Sequence, residues 1–392
     1  MTAPLHVIQT IDSIAERHGG PTRTIRDLCE ALARTGARVT LVAGNDPAGP
    51  DRLLRPAAAL VETILVPRTT RLPLPRPDLA ATVARLAGRH SIVHDNGLWT
   101  PFNLAIPTAA RAAGIPYVIS PHGMLAPWAL AWRRQRKALA WRLYQRRLLG
   151  NAAGLMATAP AEAAHVRAKI PDRPIAIIPN GVTVPAVLPD RRDRDTGQPR
   201  TLLFLSRLHP VKNLPGLLAA WSQIAANPDF AQWRLRIAGP DEDGHRADIT
   251  ALAATLPRVS IEGAIAEADK AAAFATADLF ILPSFTENFG VAAAEALAHG
   301  VPVIATTGTP WECLATARCG WHVAPDPDSL AAALGRAMAL PPAERRAMGA
   351  RGHALAARDF GWDAIARDTC AYYQWLLHGG TRPDFVPDPA HA

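Results

Sequence analysis

The sequence repeats one pattern along most of its length: a short apolar run, a turn, and a stretch with helical spacing. Short buried runs that alternate with helices are typical of parallel strands joined by crossover helices, so the pattern predicts an α/β fold. In the first half the predicted strands are 5–10, 38–43, 91–94, 117–120, 154–157 and 175–178. The pattern then restarts, with predicted strands at 201–206, 233–238, 259–262, 278–282 and 301–305. The repetition predicts two doubly wound domains, which bind ligands at the carboxyl ends of their strands.

The two predicted domains are separated by a stretch dense in Pro, Gly and charged residues, a composition typical of linkers. We place the first domain at 1–182, the linker at 183–199 and the second domain at 200–360. The last segment, 381–392, follows two glycines and has the Pro-rich composition of a flexible tail. A length of 392 residues agrees with two domains.

Composition excludes several classes of protein. With 49% hydrophobic and 19% charged residues the chain is globular, not disordered. It has no run of 18 or more apolar residues, and its first residues lack the pattern of a signal peptide, so we expect a cytoplasmic protein without a membrane span. Its four cysteines form no C-x-x-C pair, which favours reduced thiols over disulfides or a zinc site.

Positive charge is concentrated in the first half of the chain. Residues 1–180 carry 23 Lys and Arg against 11 Asp and Glu, whereas the remainder carries 19 against 23. No acidic residue lies between Asp95 and Glu162, and this block favours an anionic partner. Because the chain has no zinc-finger spacing, RNP-like motif or heptad dimerisation region, we expect no nucleic acid and prefer an anionic membrane surface.

Within this basic block, residues 127–150 are predicted to form one helix, with Pro near its start and Gly at its end. A helical projection gives two apolar lines, one through Trp128 and Trp132 and one through Leu130 and Trp141. We interpret one line as packing on the core and the other as contacting a bilayer, the alternative being an ordinary solvated basic helix. The predicted membrane contacts are Trp128, Trp132, Arg133, Arg134, Arg136 and Lys137.

Motifs of several nucleotide and hydrolytic enzymes are absent from the sequence. It contains neither G-x-G-x-x-G nor G-x-x-x-x-G-K-[ST], so dehydrogenase and ATPase functions lose their main support. It also lacks G-x-S-x-G and H-E-x-x-H. Three D-x-D tripeptides, starting at Asp193, Asp241 and Asp326, have ligands suited to Mg²⁺. Their composition is typical of turns, so we expect no metal site.

Two groups of charged residues follow strands of the second domain. Arg207 and Lys212 come after its first strand, and a guanidinium fork with a nearby ammonium suits a diphosphate, although two surface charges are the alternative. Glu287 and Glu295 follow strand 278–282, where carboxylates can accept hydrogen bonds from sugar hydroxyls. The alternative makes Glu287 a helix cap and Glu295 an exposed helical residue.

These residues and their order resemble the family 4 retaining glycosyltransferases over nearly the whole chain. The most specific mark is E-x7-E, met by Glu287 and Glu295. The other matching elements are Ser206–Arg207 with Lys212, Ile178–Val182, Gly19–Gly20 and Gly300–Ala305. The resemblance implies two facing Rossmann-like domains with a cleft between them (the GT-B architecture). It also implies that the C-terminal helix, 361–379, packs back on the first domain.

The resemblance also implies roles for individual residues. Arg207 and Lys212 would bind the diphosphate of a GDP- or UDP-sugar without a metal or other cofactor, and would stabilise the leaving group. Glu295 would accept hydrogen bonds from the ribose, and Glu287 would contact the transferred sugar. Backbone N–H groups at the helix start would face phosphate or sugar oxygens. These belong to Asn288, Phe289 and Gly290.

On the acceptor side, the resemblance assigns the Gly19–Gly20 loop to closure over the reacting centre and His122 to a sugar contact. His94 and Asp95 end another strand, where either could orient the acceptor hydroxyl. We expect a glycan or lipid-linked acceptor in bacterial exopolysaccharide or lipopolysaccharide synthesis, at the inner face of the plasma membrane. The alternatives are a hydrolysing sugar-nucleotide epimerase of the same fold and a non-catalytic nucleotide-sugar or glycan-binding protein.

Overall fold

The computed structural model describes residues 4–16, 20–45, 52–67, 76–188, 199–242 and 244–388. The chain divides into two compact units. The first consists of Met1–Gly181 and Trp362–Ala392, and the second of Val182–Gly361. The division falls directly after Gly181, at the start of the stretch interpreted as a linker from its composition. Most of that stretch, 189–198, lies outside the described residues.

The first unit is built on a parallel sheet with the order β3-β2-β1-β4-β5-β6-β7 in the part of the chain that the structure describes. Its strands are β1 (His6–Ile11), β2 (Arg38–Asn45), β3 (Glu62–Pro67), β4 (Ser91–Asn96), β5 (Tyr117–Ser120), β6 (Gly154–Ala157) and β7 (Ile175–Ile177). Successive residues of a strand point to opposite faces, and Val7 and Ile8 accordingly belong to different core clusters. The sheet is therefore covered on both faces.

Helices of the first unit supply the two covering layers. Those before the crossing to the second unit are α1 (Gly20–Arg34), α2 (Pro77–Leu86), α3 (Pro101–Ala112), α4 (Pro127–Ala131), α5 (Arg134–Ala140), α6 (Arg146–Gly150) and α7 (Pro160–Arg167). The C-terminal helix α15 (Trp362–His378) also belongs to this unit. Its Ile365, Tyr372 and Tyr373 are buried in the same core cluster as Ile25 and Leu32 of α1.

The second unit has the same architecture. Its sheet has the order β10-β9-β8-β11-β12-β13 within the described residues. The strands are β8 (Arg200–Leu205), β9 (Trp233–Ala238), β10 (Val259–Glu262), β11 (Leu279–Leu282), β12 (Val303–Thr306) and β13 (Gly320–Val323). The helices are α8 (Leu214–Ile224), α9 (His245–Ala253), α10 (Lys270–Ala275), α11 (Val291–Ala298), α12 (Cys313–Thr316), α13 (Pro327–Ala339) and α14 (Pro342–Asp359). Leu202 and Leu203 pack into different clusters, so both faces are covered here too.

The predicted helix over 127–150 is wrong as a continuous element. The chain is helical only to Ala131, and Arg133 then adopts a left-handed conformation with φ of 53°. Helix resumes at Arg134 and includes a π-helical turn at Trp141–Gln145. A left-handed residue cannot continue a right-handed helix, which is why the Trp-bearing start of this segment stands apart from the rest.

Residues 381–388, which were predicted to belong to a flexible tail, pack against the first unit. The carbonyl of Phe385 accepts a hydrogen bond of 2.8 Å from the backbone nitrogen of Ile177 in β7. Val386 is buried in the core cluster beneath α15, and Arg382 pairs with Asp388. Two apolar side chains and a strand edge that needs an acceptor hold this segment in place. Residues 389–392 lie outside the described part of the chain.

Candidate active site

In each sheet the order in which the chain adds strands reverses at one point. Ligands of doubly wound folds bind beside the carboxyl ends of the strands at this reversal point. In the second unit this point lies between β8 and β11, which pair with each other. In the first unit it lies between β1 and β4. The residues that follow these strands are therefore the first candidates for a site.

Lys212 and Glu287 meet at the reversal point of the second unit. Lys212 ends a short 3-10 helix after β8, and Glu287 lies in the loop after β11. Lys212 Nζ donates to Glu287 Oε1, and the two side chains are only 8% and 12% exposed. Charged side chains this deeply buried need an oppositely charged partner. Lys212 and Glu287 therefore depend on each other in the folded protein.

Backbone and hydroxyl hydrogen bonds fix the loop that carries Glu287. Ser284 Oγ donates to Glu287 Oε1 at 2.8 Å, and the backbone nitrogen of Glu287 donates to the Gly308 carbonyl at 3.0 Å. The backbone nitrogen of Phe285 donates to the Val211 carbonyl at 2.9 Å, which ties this loop to the one that carries Lys212. These hydrogen bonds hold the carboxylate in a fixed position, and they do not support the alternative that Glu287 is merely a helix cap.

Glu295 is the fifth residue of α11 and is paired with a lysine. Lys270 Nζ lies 2.7 Å from Glu295 Oε1, and the Glu295 side chain is 18% exposed. Burial raises the pKa of Glu295, and the charge of Lys270 opposes that rise. The alternative of an exposed helical residue is therefore wrong, because the neighbouring positions of α11 are buried alanines.

Arg207 is the most exposed member of the predicted donor site. Its side chain is 55% exposed, and its guanidinium Nη1 lies 2.6 Å from Glu242 Oε1. An exposed ion pair of this kind contributes little to stability, so Arg207 can exchange Glu242 for another anion at small cost.

The segment predicted to offer backbone amides leads into α11. Gly290 precedes the helix with φ of 83°, a left-handed conformation that favours glycine, and α11 begins at Val291. The Phe289 ring is buried against Trp311 and Phe360, and Trp311 Nε1 donates to the Phe289 carbonyl at 2.7 Å. Asn288 directly precedes Phe289 in the chain. The segment is therefore anchored by an aromatic cluster beneath the Glu287 loop.

In the first unit, His122 lies in the loop after β5 with φ of 49°. Asn96 Nδ2 donates to Gln9 Oε1 at 2.9 Å, so its Oδ1 faces His122 Nε2 at 3.0 Å and accepts from it. This assigns the ring proton to Nε2 and leaves Nδ1 as an acceptor without a partner among the described residues. Burial lowers the pKa of His122, and the Glu162 carboxylate opposes that effect.

Glu162, at the start of α7, holds the His122 loop. Its Oε1 accepts a hydrogen bond from the backbone nitrogen of Gly123, and its Oε2 accepts from Thr158 N at 2.8 Å and Thr158 Oγ1 at 3.0 Å. The carboxylate is buried and joins the loops that follow β5 and β6. It therefore fixes the left-handed backbone at His122 and Gly123.

His94 and Asp95, which were predicted to lie on the acceptor side, are completely buried and bonded internally. His94 lies 2.7 Å from Ser120 Oγ and also contacts Tyr373 OH of α15, and burial lowers its pKa to about 3. Asp95 accepts from Thr10 Oγ1 at 2.7 Å and Asn103 Nδ2 at 3.1 Å. Burial raises the pKa of Asp95 to about 7. Both residues belong to the central strand β4, whose two faces are covered.

The structure also bears on the two predicted loop glycines and on the D-x-D tripeptides. Gly19 lies outside the described residues, and Gly20 is the first residue of α1. Asp326 caps α13 by accepting from Ser329 N at 2.8 Å, and Asp241 Oδ1 accepts from Arg246 N at 2.9 Å, as expected for turns. Asp193 lies outside the described part of the chain. The described residues contain no group of three or more His, Cys, Asp or Glu that could hold a metal ion.

The basic segment after β5 exposes apolar side chains. Trp128 and Trp132 are 52% and 61% exposed, and Leu139 and Leu143 are 59% and 70% exposed. The second apolar line, through Leu130, Trp141 and Leu148, packs on the core cluster as predicted. The Arg133 guanidinium carbon lies 4.0 Å from the centre of the Trp132 ring, which orients that indole. No described helix is long and apolar enough to cross a membrane.

Sequence reasoning missed Lys270, Glu162, Asn96 and Tyr373. All four act through contacts between residues far apart in the chain, from 25 positions for Lys270 with Glu295 to 279 for Tyr373 with His94. Of these four, Glu162 is an acidic residue in the first turn of a helix, which is a local signal that a sequence can carry.

Comparison with known proteins gives matches to both units. A family model described as "Glycosyl transferase 4-like domain" matches residues 19–181, and one described as "Glycosyl transferases group 1" matches residues 199–339. The chain is 29% identical to the GDP-mannose-dependent alpha-mannosyltransferase of Mycolicibacterium smegmatis, over 95% of this chain and 98% of that protein. It is 28% identical to the D-inositol 3-phosphate glycosyltransferase of Arthrobacter sp. (strain FB24), over 91% and 90%.

Solved structures show the same architecture. The sucrose-phosphate synthase of Thermosynechococcus elongatus superposes with a TM-score of 0.73 and 24% identity, covering 96% of this chain and 100% of that one. The prediction of two Rossmann-like α/β domains is confirmed.

Proposed function

Since the chain belongs to the family 4 glycosyltransferases, the glycosyl transferases of group 1, we propose that it moves a hexose from a GDP- or UDP-sugar to a glycan or lipid-linked acceptor. The observation that carries the proposal is the buried Lys212–Glu287 pair at the reversal point of the second sheet. It combines a cation for phosphate with a carboxylate for sugar hydroxyls, where a nucleotide-sugar would lie in this fold. The relative that acts on GDP-mannose favours GDP as the donor nucleotide.

The proposed chemistry relies on fixed charges. Lys212 and Arg207 stabilise the negative charge that develops on the diphosphate as the sugar leaves, so we propose transfer without a metal ion. His122 Nδ1 accepts a hydrogen bond from a sugar hydroxyl, because Nε2 donates to Asn96. The departing phosphate accepts the proton of the acceptor hydroxyl on the same face of the sugar, which retains the anomeric configuration and needs no side-chain base.

A thermal-shift panel tests donor binding. GDP and UDP are compared with ADP and CMP, first without metal and then with Mg²⁺. At 100 times its dissociation constant a ligand adds about 2.7 kcal/mol to the free energy of unfolding, so the true donor nucleotide should raise Tm without metal. Arg207→Ala should reduce this shift because it removes a diphosphate contact.

The matched control is Arg336→Ala, which removes an exposed arginine in the last turn of α13 and should keep the full shift. If no nucleotide stabilised the wild type, the proposed donor site would be wrong. Donor binding with sugar release that no acceptor accelerates would favour the epimerase, and binding without turnover would favour a non-catalytic protein.

We also propose that the segment after β5 docks on an anionic membrane, where a lipid-linked acceptor would be presented. Trp128 and Trp132 supply amphipathic rings, and Arg133, Arg134 and Arg136 are exposed beside them. Exposed indoles with adjacent cations are suited to the interface of an anionic bilayer. The break at Arg133 lies between the two exposed tryptophans and the helical turns that carry Trp141 and Leu148.

Sedimentation with vesicles tests this proposal. Vesicles rich in phosphatidylglycerol should sediment the wild type, and neutralising Arg133, Arg134, Arg136 and Lys137 to Gln should leave the protein in solution, since each basic residue contributes about 1 kcal/mol. A control variant neutralises four exposed arginines elsewhere in the first unit, Arg52, Arg55, Arg85 and Arg89, and so has the same net charge. Equal behaviour of the two variants would exclude a specific docking segment.

A further inference from the structure

Lys270 and Glu295 lie on neighbouring helices of the second unit, and aromatic packing fixes their separation. The Phe274 ring of α10 stacks on His299, which follows α11, with ring centres 5.1 Å apart. His299 Nδ1 is also 2.8 Å from the Glu295 carbonyl. These contacts hold the first turn of α10 beside the middle of α11, so Lys270 has a fixed position relative to Glu295.

Only one oxygen of the Glu295 carboxylate takes part in this pairing. Lys270 Nζ lies 2.7 Å from Oε1 and 3.3 Å from Glu267 Oε2, whose side chain is 45% exposed. Oε2 of Glu295 has no hydrogen-bond partner among the described residues. The charged or titratable groups that face the carboxylate are Lys270, Glu267 and His299. A buried carboxylate with one oxygen held and the other open is arranged to accept a hydrogen bond from a ligand.

We propose that Lys270 is a positioning residue of the donor site, which orients Glu295 so that its open oxygen accepts a ribose hydroxyl. This inference rests on the proposed function, which places the ribose at Glu295. Lys270 itself touches no ligand in this scheme. It neutralises the carboxylate without occupying Oε2, and this allows a charged acceptor to exist among the buried alanines of α11.

Binding of ribose and deoxyribose nucleotides tests the inference. Calorimetric titration compares GDP with 2′-deoxy-GDP, and UDP with 2′-deoxy-UDP. The wild type should bind the ribonucleotide at least about tenfold more tightly, because a hydrogen bond to a charged acceptor is lost in the deoxy form. Lys270→Met should weaken ribonucleotide binding about tenfold and abolish this preference.

Three further variants control for charge and for packing. Lys270→Arg should keep the preference for the ribonucleotide, because a cation still faces Oε1. Glu267→Gln removes the other carboxylate near Lys270 and should also keep it, because the Lys270–Glu295 bond remains. Lys270→Met with Glu295→Gln removes both charges, so it should fold stably and still show no preference.

The pH dependence of the free energy of unfolding tests the inference without any nucleotide. Glu295 already has a raised pKa in the folded protein, and removing Lys270 raises it further. A carboxyl whose folded pKa is raised destabilises the fold as pH rises above its unfolded pKa. Lys270→Met should therefore be closer in stability to the wild type at pH 5 than at pH 8, and adding Glu295→Gln should remove that dependence.

Separate results would overturn the two proposals. Unchanged ribose preference in Lys270→Met, or a stability deficit independent of pH, would show that Lys270 does not act through Glu295. If the wild type bound neither GDP nor UDP, the proposed function would fail and the ribose role of Glu295 with it. Binding of GDP with no preference over 2′-deoxy-GDP in the wild type would leave the donor site standing and overturn only the inference.

Discussion

Glu287→Gln is expected to lower the rate of sugar transfer by at least about a hundredfold, and Lys212→Met should have a similar effect. Each variant keeps the approximate volume of the side chain but removes one charge of the pair at the end of β8 and β11. In the proposed site the transferred sugar loses a carboxylate contact in the first variant, and the leaving diphosphate loses a cation in the second. Initial rates with saturating donor measure both effects.

The free energies of unfolding of these variants should show whether Lys212 and Glu287 form a buried ion pair. Each single change leaves a buried charge without its partner, which costs about 3–5 kcal/mol. The combined variant Lys212→Met with Glu287→Gln removes both charges, so it should be more stable than either single variant while remaining inactive. Urea unfolding measures this order. Wild-type turnover in either single variant, or additive destabilisation in the combined one, would contradict the assignment.

Glu162→Ala is expected to destabilise the first unit by about 3 kcal/mol, because it leaves three buried donors without their acceptor. These donors are the backbone nitrogens of Gly123 and Thr158 and the Thr158 hydroxyl. The loop that holds His122 in its left-handed conformation then loses its anchor, so transfer should also slow, by about tenfold or more. Thr158→Val, which removes only the hydroxyl, should cost about 1 kcal/mol.

A double-mutant cycle separates a positioning role from general damage. In a His122→Ala background, adding Glu162→Gln should change the transfer rate little, because the side chain that Glu162 positions is already absent. If Glu162→Gln slowed both backgrounds equally, Glu162 would act independently of His122.

Much of the fold could be predicted because the central strands of each sheet are short apolar runs with both faces buried, which is the strongest local signal that a parallel sheet gives. Two edge strands, β3 and β13, were not predicted, and both are partly exposed. The positions of Lys212, Glu287 and Glu295 in the second unit were also predicted. The ion pairs that these residues form were not predicted. The Lys270–Glu295 contact depends on how α10 packs beside α11, and no sequence spacing records that packing.

His94 and Asp95 show the limit of reasoning from strand ends. Their place at the end of β4 predicted contact with a ligand, and the strand does lie at the reversal point of its sheet. Whether such a side chain reaches the surface depends on what covers it, here Tyr373 of α15 and Asn103 of α3. Covering elements from distant parts of the chain cannot be located from a local pattern. The break at Arg133 is similar, since nothing in its neighbours forbids a continuous helix.

The packing of residues 381–388 on β7 has a consequence for solubility. In the described part of the chain β7 is the edge of the first sheet, and unpaired edge strands are templates for intermolecular strand pairing. The carbonyl of Phe385 takes the free donor of Ile177, and buried Val386 lies over the adjoining core. The segment therefore covers this edge, and a purification tag that displaced it is expected to promote self-association without changing the proposed catalytic residues.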